Sequence, residues 1–349
     1  MKDNRIIRGF MFLVVIGFSC LLFSDRVHAE EENQAGAGFT VESVIPDNQV
    51  DIRKTYFHLK IEPGVSQVIQ VKVRSTQEAP VTVKLAVHDA ISSSVGAIDY
   101  AREKPKLDES LKNPITQIVS IKENVKEVTV ENYEEKIIEY VIQPPEETFP
   151  GVKLGSLRFV KKEADAETDS TGLSSEYAYV IALMLTEDGE QFNFGADLTL
   201  KKVDLKLSNG RKVIAATIQN DQPKVMQKMV IDGQVKKKGE TEVLTRNHKE
   251  NFSVAPNSNF DFELPLDLND FAAGTYVFTG KAEADGKVWN WEEEFTISQD
   301  KSAKINKETV FKLVIPNWVP WVTGGLVLAL ASLIVLLVKR QKKWQKESE

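Results

Sequence analysis

From Phe39 onward, apolar and polar residues alternate in short runs rich in Val, Ile and Thr and broken by Pro, Gly, Asn and Asp. That is the pattern of half-buried β-strands, whose side chains point alternately to two faces. Val68-Ile69-Gln70-Val71-Lys72-Val73 and Val81-Thr82-Val83-Lys84-Leu85-Ala86-Val87 each align apolar side chains on one face, with Gln77-Glu78-Ala79-Pro80 as the turn between them. They are predicted to be neighbouring strands of a sandwich. Tyr100 to Pro114 is richer in charge and less regular, and it reads as a long surface loop with room for one helical turn over Leu107 to Leu111. Val203 to Leu207, Lys212 to Gln219 and Met226 to Lys236 supply further strands, with Asn209-Gly210 as a tight turn.

A weak internal repeat sets the domain count. Val128-Thr129-Val130, a polar gap, Ile138-Glu139-Tyr140-Val141-Ile142, then Pro145, Phe149 and Gly151 has a downstream counterpart. The counterpart is Phe252-Ser253-Val254, a gap, Phe260-Asp261-Phe262-Glu263-Leu264, then Leu268, Phe271 and Gly274. A pair of strands closes each copy: Val152 to Val160 with Tyr177 to Thr186, and Thr275 to Ala284 with Val288 to Ser298 through Asp285-Gly286-Lys287. The reading is an all-β protein of two tandem Ig-like β-sandwich domains, 39–187 and 188–298, followed by a single C-terminal transmembrane helix. The boundary falls near Glu187-Asp188-Gly189-Glu190 unless Tyr177 to Thr186 belongs to the second sandwich; both assignments stay open at this point.

The two ends of the chain break the alternation. Trp318 to Val338 carries no charge and is long enough to cross a bilayer as a helix. Trp318 and Trp321 suit the outer headgroup region, Pro320 falls in the first turn, and Lys339, Arg340, Lys342, Lys343 and Lys346 form a basic tail, 339–349, of the cytoplasmic kind. At the other end, Lys2, Arg5 and Arg8 precede the apolar run Gly9 to Phe23, and Val27-His28-Ala29 offers a signal-peptidase site, so 1–29 is a signal peptide and Glu30 the mature start. An uncleaved signal anchor is the alternative. The polar, Lys-rich stretch after Ser298 makes 299–317 a juxtamembrane stalk.

Composition then narrows the chemistry. Cys20, in the leader, is the only cysteine, so the mature chain has no disulfide, thiolate nucleophile or cysteine metal site. Setting aside the leader (four basic, two acidic) and the tail (five basic, two acidic) leaves 35 basic and 47 acidic residues, a net of −12. Such a field repels nucleic acid, teichoic acids and anionic lipid, and favours a neutral glycan, a peptide stem or another protein as ligand. His58, His88 and His248 have no second histidine at metal-ligand spacing, and no nucleophile elbow, P-loop or dinucleotide fingerprint is present. The chain therefore reads as a non-enzyme without cofactor or metal; a wall-glycan hydrolase, whose two acids can lie far apart in sequence, is the remote alternative. Asp165, Glu167, Asp169, Thr171 and Glu176 fall at calcium-loop positions, but Ser170 stands where the turn needs Gly, and a solvated connector fits better. Trp289, Trp291 and Phe295 share one strand face, suited to a sandwich core and secondarily to stacking on sugar rings. Asp47, Asn48 and Gln49, in a turn beside Pro46, are the candidate polar contact site, with a plain Asx turn as the competing reading.

Several short signatures then stand in order. Phe39-Thr40-Val41 through Pro46-Asp47-Asn48-Gln49, Tyr56-Phe57-His58-Leu59 with Pro63-Gly64, Gly96-Ala97-Ile98-Asp99-Tyr100 and Gly151-Val152-Lys153-Leu154-Gly155 resemble the first domain of the WxL-interacting proteins. Tyr177-Ala178-Tyr179-Val180-Ile181-Ala182 through Gly274-Thr275-Tyr276 to Phe295 resembles their second. The resemblance implies a Gram-positive surface protein with a peptidoglycan-binding and a host-binding domain, partnered with secreted WxL-domain proteins. Two sandwiches of roughly 35 Å and an extended stalk give a reach on the order of 100 Å from the membrane, which favours contacts within the wall. The expected role is an adaptor holding WxL-domain proteins at the wall, with a host adhesin as runner-up.

Overall fold

The computed structural model describes residues 36–162, 176–188, 191–312, 316 and 318–347. The leader 1–29 with its cleavage site and the calcium-like positions Asp165 to Thr171 lie outside the described residues. The first sandwich faces a four-stranded sheet, β1(Phe39–Val44), β3(Gln67–Ser75), β9(Glu135–Ile142) and β7(Val119–Ile121), in that order, against a five-stranded one. The five are β2(Phe57–Lys60), β11(Ala178–Thr186), β10(Val152–Lys161), β4(Val81–Asp89) and β8(Glu127–Val130). Alternation does what it should: Ile69, Val71 and Val73 of β3 and Val81, Val83 and Leu85 of β4 enter one buried core, with Tyr140, Leu157 and Phe159. β3 and β4 are not hydrogen-bonded neighbours, however. The turn at Gln77–Pro80 carries the chain from one sheet to the facing one, so the two runs meet across the core, and alternating apolar faces are common to both arrangements.

Tyr177 to Thr186 supplies β11, which pairs antiparallel with β10 from Val152↔Thr186 to Val160↔Ala178 and parallel with β2 from Leu183↔Phe57 to Thr186↔Lys60. It is thus a central strand of the first sandwich. The second sandwich sets β12(Thr199–Ser208), β13(Arg211–Asn220) and β16(Ser258–Pro265) against β15(Val243–Val254), β14(Met226–Lys237), β17(Gly274–Ala284) and β18(Lys287–Ile297). Asn209-Gly210 and Asp285-Gly286 close two of its hairpins with positive φ at both residues, the mirror-image turn that matches strand twist. Phe295 is buried, and Trp289 and Trp291 pack partly buried against that core, so the shared aromatic face is an interior one.

Residues 299–308 depart from the expected stalk. They form a helix, α2(Gln299–Glu308), counting the single turn Ile115–Ile118 as α1. Ser298 caps it by accepting from Lys301 N, and Ile305 and Ser302 are buried against the second sandwich. Ser302 Oγ donates to the Phe271 carbonyl, and Asn306 Nδ2 donates to the same oxygen at 3.0 Å. A mean composition hides this: one Ile and two side chains that satisfy a loop suffice to dock a polar helix. The last element, α3(Val319–Glu347), contains a 21-residue apolar stretch, Val319–Lys339, long enough to cross a membrane and not buried against the rest of the protein. Trp318, Trp321 and Lys339 are exposed there, and Arg340 continues the same helix.

Candidate functional site

The first sandwich carries two concave polar sites, each built on a signature segment. After β1 the chain turns at Pro46, with Gln49 N–H donating to the Pro46 carbonyl at 3.1 Å, and returns into β2. Asn48 and Gln49 hold this turn. The Asn48 and Gln67 side-chain amides donate to each other at 2.8 Å, and Asn48 Nδ2 also donates to the Lys60 carbonyl at 2.7 Å. Gln49 is buried; its Oε1 accepts from His58 N at 2.9 Å and its Nε2 donates to the Tyr56 carbonyl at 2.8 Å. Their amides thus serve the loop, and Asp47, which is exposed, is the member of the trio free to face outward.

Asp47 to Val50 line a depression of about 550 Å³ together with His58, Lys60, Glu62, Thr186 and Asp188. His58 is 7% exposed and meets the Phe192 ring edge-on at 5.4 Å between centroids. Burial pushes its pKa below the ordinary histidine value, an effect only partly offset by Asp51, so the imidazole is neutral at neutral pH. Arg53, bonding to Asp51 through side chain and backbone, holds that carboxyl down at about 2. The depression thus presents carboxylates, one ammonium and a neutral ring, donors and acceptors of the kind that hydrogen-bond hydroxyl and amide groups.

The second site is a cleft of about 340 Å³ between the sandwiches, lined by Phe149, Lys153 and Glu147 from one side and Asp221, Pro223 and Asn257 from the other. Lys153 is buried; its ammonium donates to the Lys112 carbonyl and lies 4.5 Å from the Phe149 ring centroid. Burial lowers its pKa while Glu187 and Asp89 pull it up. Glu187 accepts from Phe149 N at 3.0 Å through one oxygen, and its other oxygen is buried without a hydrogen bond among the described residues. Asp188 accepts from Gly151 N at 2.8 Å. Gly151 has φ +66°, and a Cβ there would lie 2.3 Å from the Pro223 carbonyl oxygen. The Gly151–Gly155 signature is therefore the corner of this cleft where the two sandwiches touch, at Pro223.

Around the cleft the sandwiches are clasped. The hairpin β5(Ile91–Ser92) and β6(Ile98–Asp99) seats on the second sandwich: Ser258 Oγ accepts from Ser92 N, Ser92 Oγ accepts from Ala255 N, both at 2.9 Å, and Gly96 packs so closely that a Cβ would sit 2.8 Å from the Phe252 ring. Asp108, in the predicted surface loop, accepts from Gln219 and Asn259 across the junction at 2.7 Å each. Ala90, Val152, Leu154, Met184 and Val225 form a small apolar core beneath. The loop reads as surface because it is charged, but its carboxylate is used by the neighbouring domain.

Family models match most of the chain. Residues 39–161 match the WxL Interacting Protein peptidoglycan binding domain, and residues 168–307 match the WxL Interacting Protein host binding domain. The chain belongs to the WxL-interacting protein family.

As a WxL-interacting protein, it carries two binding domains and has a cell-surface binding role. The boundary between the matched regions is not the boundary between sandwiches: β11 falls within the host-binding match but completes the peptidoglycan-binding sandwich. No curated protein matches this chain. Solved structures similar to it include the E. coli chaperone DraB (13% identity, 74% of this chain and 99% of that one, TM-score 0.27). The CsuC–CsuE chaperone–tip adhesion subunit complex of Acinetobacter baumannii (12%, 64% and 89%, 0.30) and a PapD-like domain of human CEP192 (8%, 45% and 89%, 0.26) are others. At these scores the likeness carries no weight for ligands or domain arrangement. Among the described residues of this WxL-interacting protein, no group of three His, Cys, Asp or Glu could hold a metal ion.

Proposed function

We propose that the chain is a membrane-anchored cell-surface adaptor that binds peptidoglycan and WxL-domain proteins, holding a surface complex at the cell wall. On this reading the leader is removed after Ala29, the ectodomain lies outside in the Gram-positive wall, and α3 crosses the membrane once with the basic tail inside. The observation that carries it is the clasp. A peptidoglycan-binding domain hydrogen-bonded to its neighbour through Ser92, Asp108 and Val152, and packed against it at Gly151, behaves as one body, and the apolar helix follows that body closely. Such a unit suits holding partners in a fixed relation. Wall contact is assigned to the depression at Asp47, His58 and Lys60, where exposed polar groups surround a buried ring.

The second reading, an adhesin that binds host proteins directly, is favoured by the host-binding description of residues 168–307. Incubating the full chain in detergent micelles with secreted bacterial proteins, and separately with host matrix proteins, discriminates. Retention of WxL-domain proteins supports the adaptor, retention of matrix proteins alone supports the adhesin, and release of soluble fragments from labelled wall would point to a hydrolase.

A further inference from the structure

β13 runs the length of the second sandwich. Its Asn220 end lies at the domain junction, where Asn220 donates to the Ala255 carbonyl, and its Arg211 end is opposite. At about 3.3 Å per residue the two ends are about 30 Å apart. At the Arg211 end the chain leaves α2, and Val310 N–H and Thr309 Oγ1 both donate to the Gly210 carbonyl, at 3.0 and 2.9 Å. Val310 is 75% exposed, Phe311 42% and Leu268 50%. Phe311 and Leu268 line one depression, and the Arg211 guanidinium lies 4.4 Å from the Phe311 ring centroid. Lys312 borders the next depression along, with Leu268. None of these three apolar side chains belongs to the core.

The chain leaves little room above them. From Val310, which is fixed to the sandwich, to Val319, where α3 begins, even a fully extended chain spans no more than about 30 Å. We propose that this end of the second sandwich rests on the phospholipid surface. Leu268, Val310 and Phe311 enter the headgroup layer while Arg211 and Lys312 meet lipid phosphates. In the two depressions Arg211, Lys249, Lys307 and Lys312 outnumber Glu263, Asp267 and Asp270, so the patch is apolar with a cationic surplus in an ectodomain whose net charge otherwise repels an anionic surface, which is the composition of an interfacial contact. This rests on the reading of α3 as a span. Its consequence is an ectodomain set at a fixed height and tilt, with the first sandwich outermost.

Because Cys20 lies in the leader, single cysteines can be introduced into the mature chain without background. Leu268→Cys, Val50→Cys and Leu328→Cys variants of the full mature chain, labelled with a fluorophore, are reconstituted in phosphatidylcholine–phosphatidylglycerol vesicles containing nitroxide lipid. The expected result is quenching at 268 several-fold above that at 50 and approaching that at 328. Quenching at 328 with 268 no higher than 50 overturns the seat while leaving the span intact. Absence of quenching at 328 overturns the span, and the seat with it. A label at 268 that is hidden from aqueous iodide yet beyond the reach of lipid nitroxide would mean that a protein covers the patch, which also overturns the proposal.

Discussion

The two sandwiches share an architecture and differ in what they leave unsatisfied. Among the described residues, the buried side-chain polar atoms without a hydrogen bond are His88 Nδ1, Tyr140 Oη, Arg158 Nε and Glu187 Oε1 in the first sandwich, against Asp285 Oδ2, in a hairpin turn, in the second. Each such atom costs stability, so a domain that keeps several is shaped by something besides folding. The first sandwich also buries His58 and Lys153 beside its two concave sites, while the second buries Lys212, whose ammonium donates to the Asn269 carbonyl. The second has long strands, a continuous core holding six buried Phe, and a docked helix leading toward α3. As proposed, the first sandwich reads a wall ligand, and the second, besides being the host-binding match, holds that reader at the membrane.

The largest effect should come from Gly155→Val. A Cβ at Gly155 would lie 2.5 Å from the His88 carbonyl oxygen and 2.7 Å from Ile115, so the side chain pries α1 off the sheet. Overpacking of this kind costs about 3 kcal/mol, and hydrogen exchange should show the loss in the first sandwich alone. If both sandwiches lose protection together, the clasp transmits more than the comparison allows.

Asp108→Ala comes next. Losing the hydrogen bonds from Gln219, Asn259 and Ser110 should cost about 2 kcal/mol, discounted for partial exposure, and should open the 100–114 loop to proteolysis with both cores intact. Burial pushes the Asp108 carboxyl up, but the bonds from Asn259, Ser110 and Gln219 outweigh it, and its pKa lies below the ordinary value. A depressed carboxylate stabilises above its unfolded value and loses that contribution as pH falls through the folded one. The clasp should therefore loosen below about pH 4, and in Asp108→Ala that pH dependence should vanish.

Tyr140→Phe tests the unsatisfied interior directly. Tyr140 is fully buried and burial alone drives its pKa far up, so removing the hydroxyl should leave stability unchanged or raise it by about 1 kcal/mol in thermal unfolding. A clear loss would mean that the hydroxyl is satisfied and that the contrast between sandwiches is smaller than stated. The smallest effect concerns His58. With its folded pKa below the unfolded one, its contribution is full above about 6.5 and declines as pH falls toward the folded value, so the melting temperature should drop across that window. His58→Gln should flatten the drop.

Much of this was legible in the sequence, for reasons that also explain what was not. Alternation at Ile69, Val71 and Val73 reports that a strand has one buried face, and Asn209-Gly210 and Asp285-Gly286 report turns, since both signals are local. Which sheet a strand joins depends on distant partners. β4 crossing to the sheet opposite β3, and β11 lying parallel to β2, leave no trace in their own residues. The same limit explains the sites. Asp47, Asn48 and Gln49 do lie on one concave surface, yet the hydrogen bonds that occupy Asn48 and Gln49 come from residues 56 to 67. Lys153 stands within a quoted signature and still gave no sign of being buried at a domain junction. A cation between apolar residues in a strand suggests the solvent face, whereas here Phe149, the Lys112 carbonyl and the neighbouring sandwich together enclose it.

The first sandwich as wall reader is most directly tested by sedimenting the full chain, in detergent micelles, with purified peptidoglycan. An Asp47→Arg, Lys60→Glu variant alters two exposed side chains of the 550 Å³ depression and spares the amides that hold its loop. The native chain should pellet with the wall material, and the variant should stay in the supernatant with an unchanged melting temperature. A variant that pellets as fully as the native chain would contradict the account.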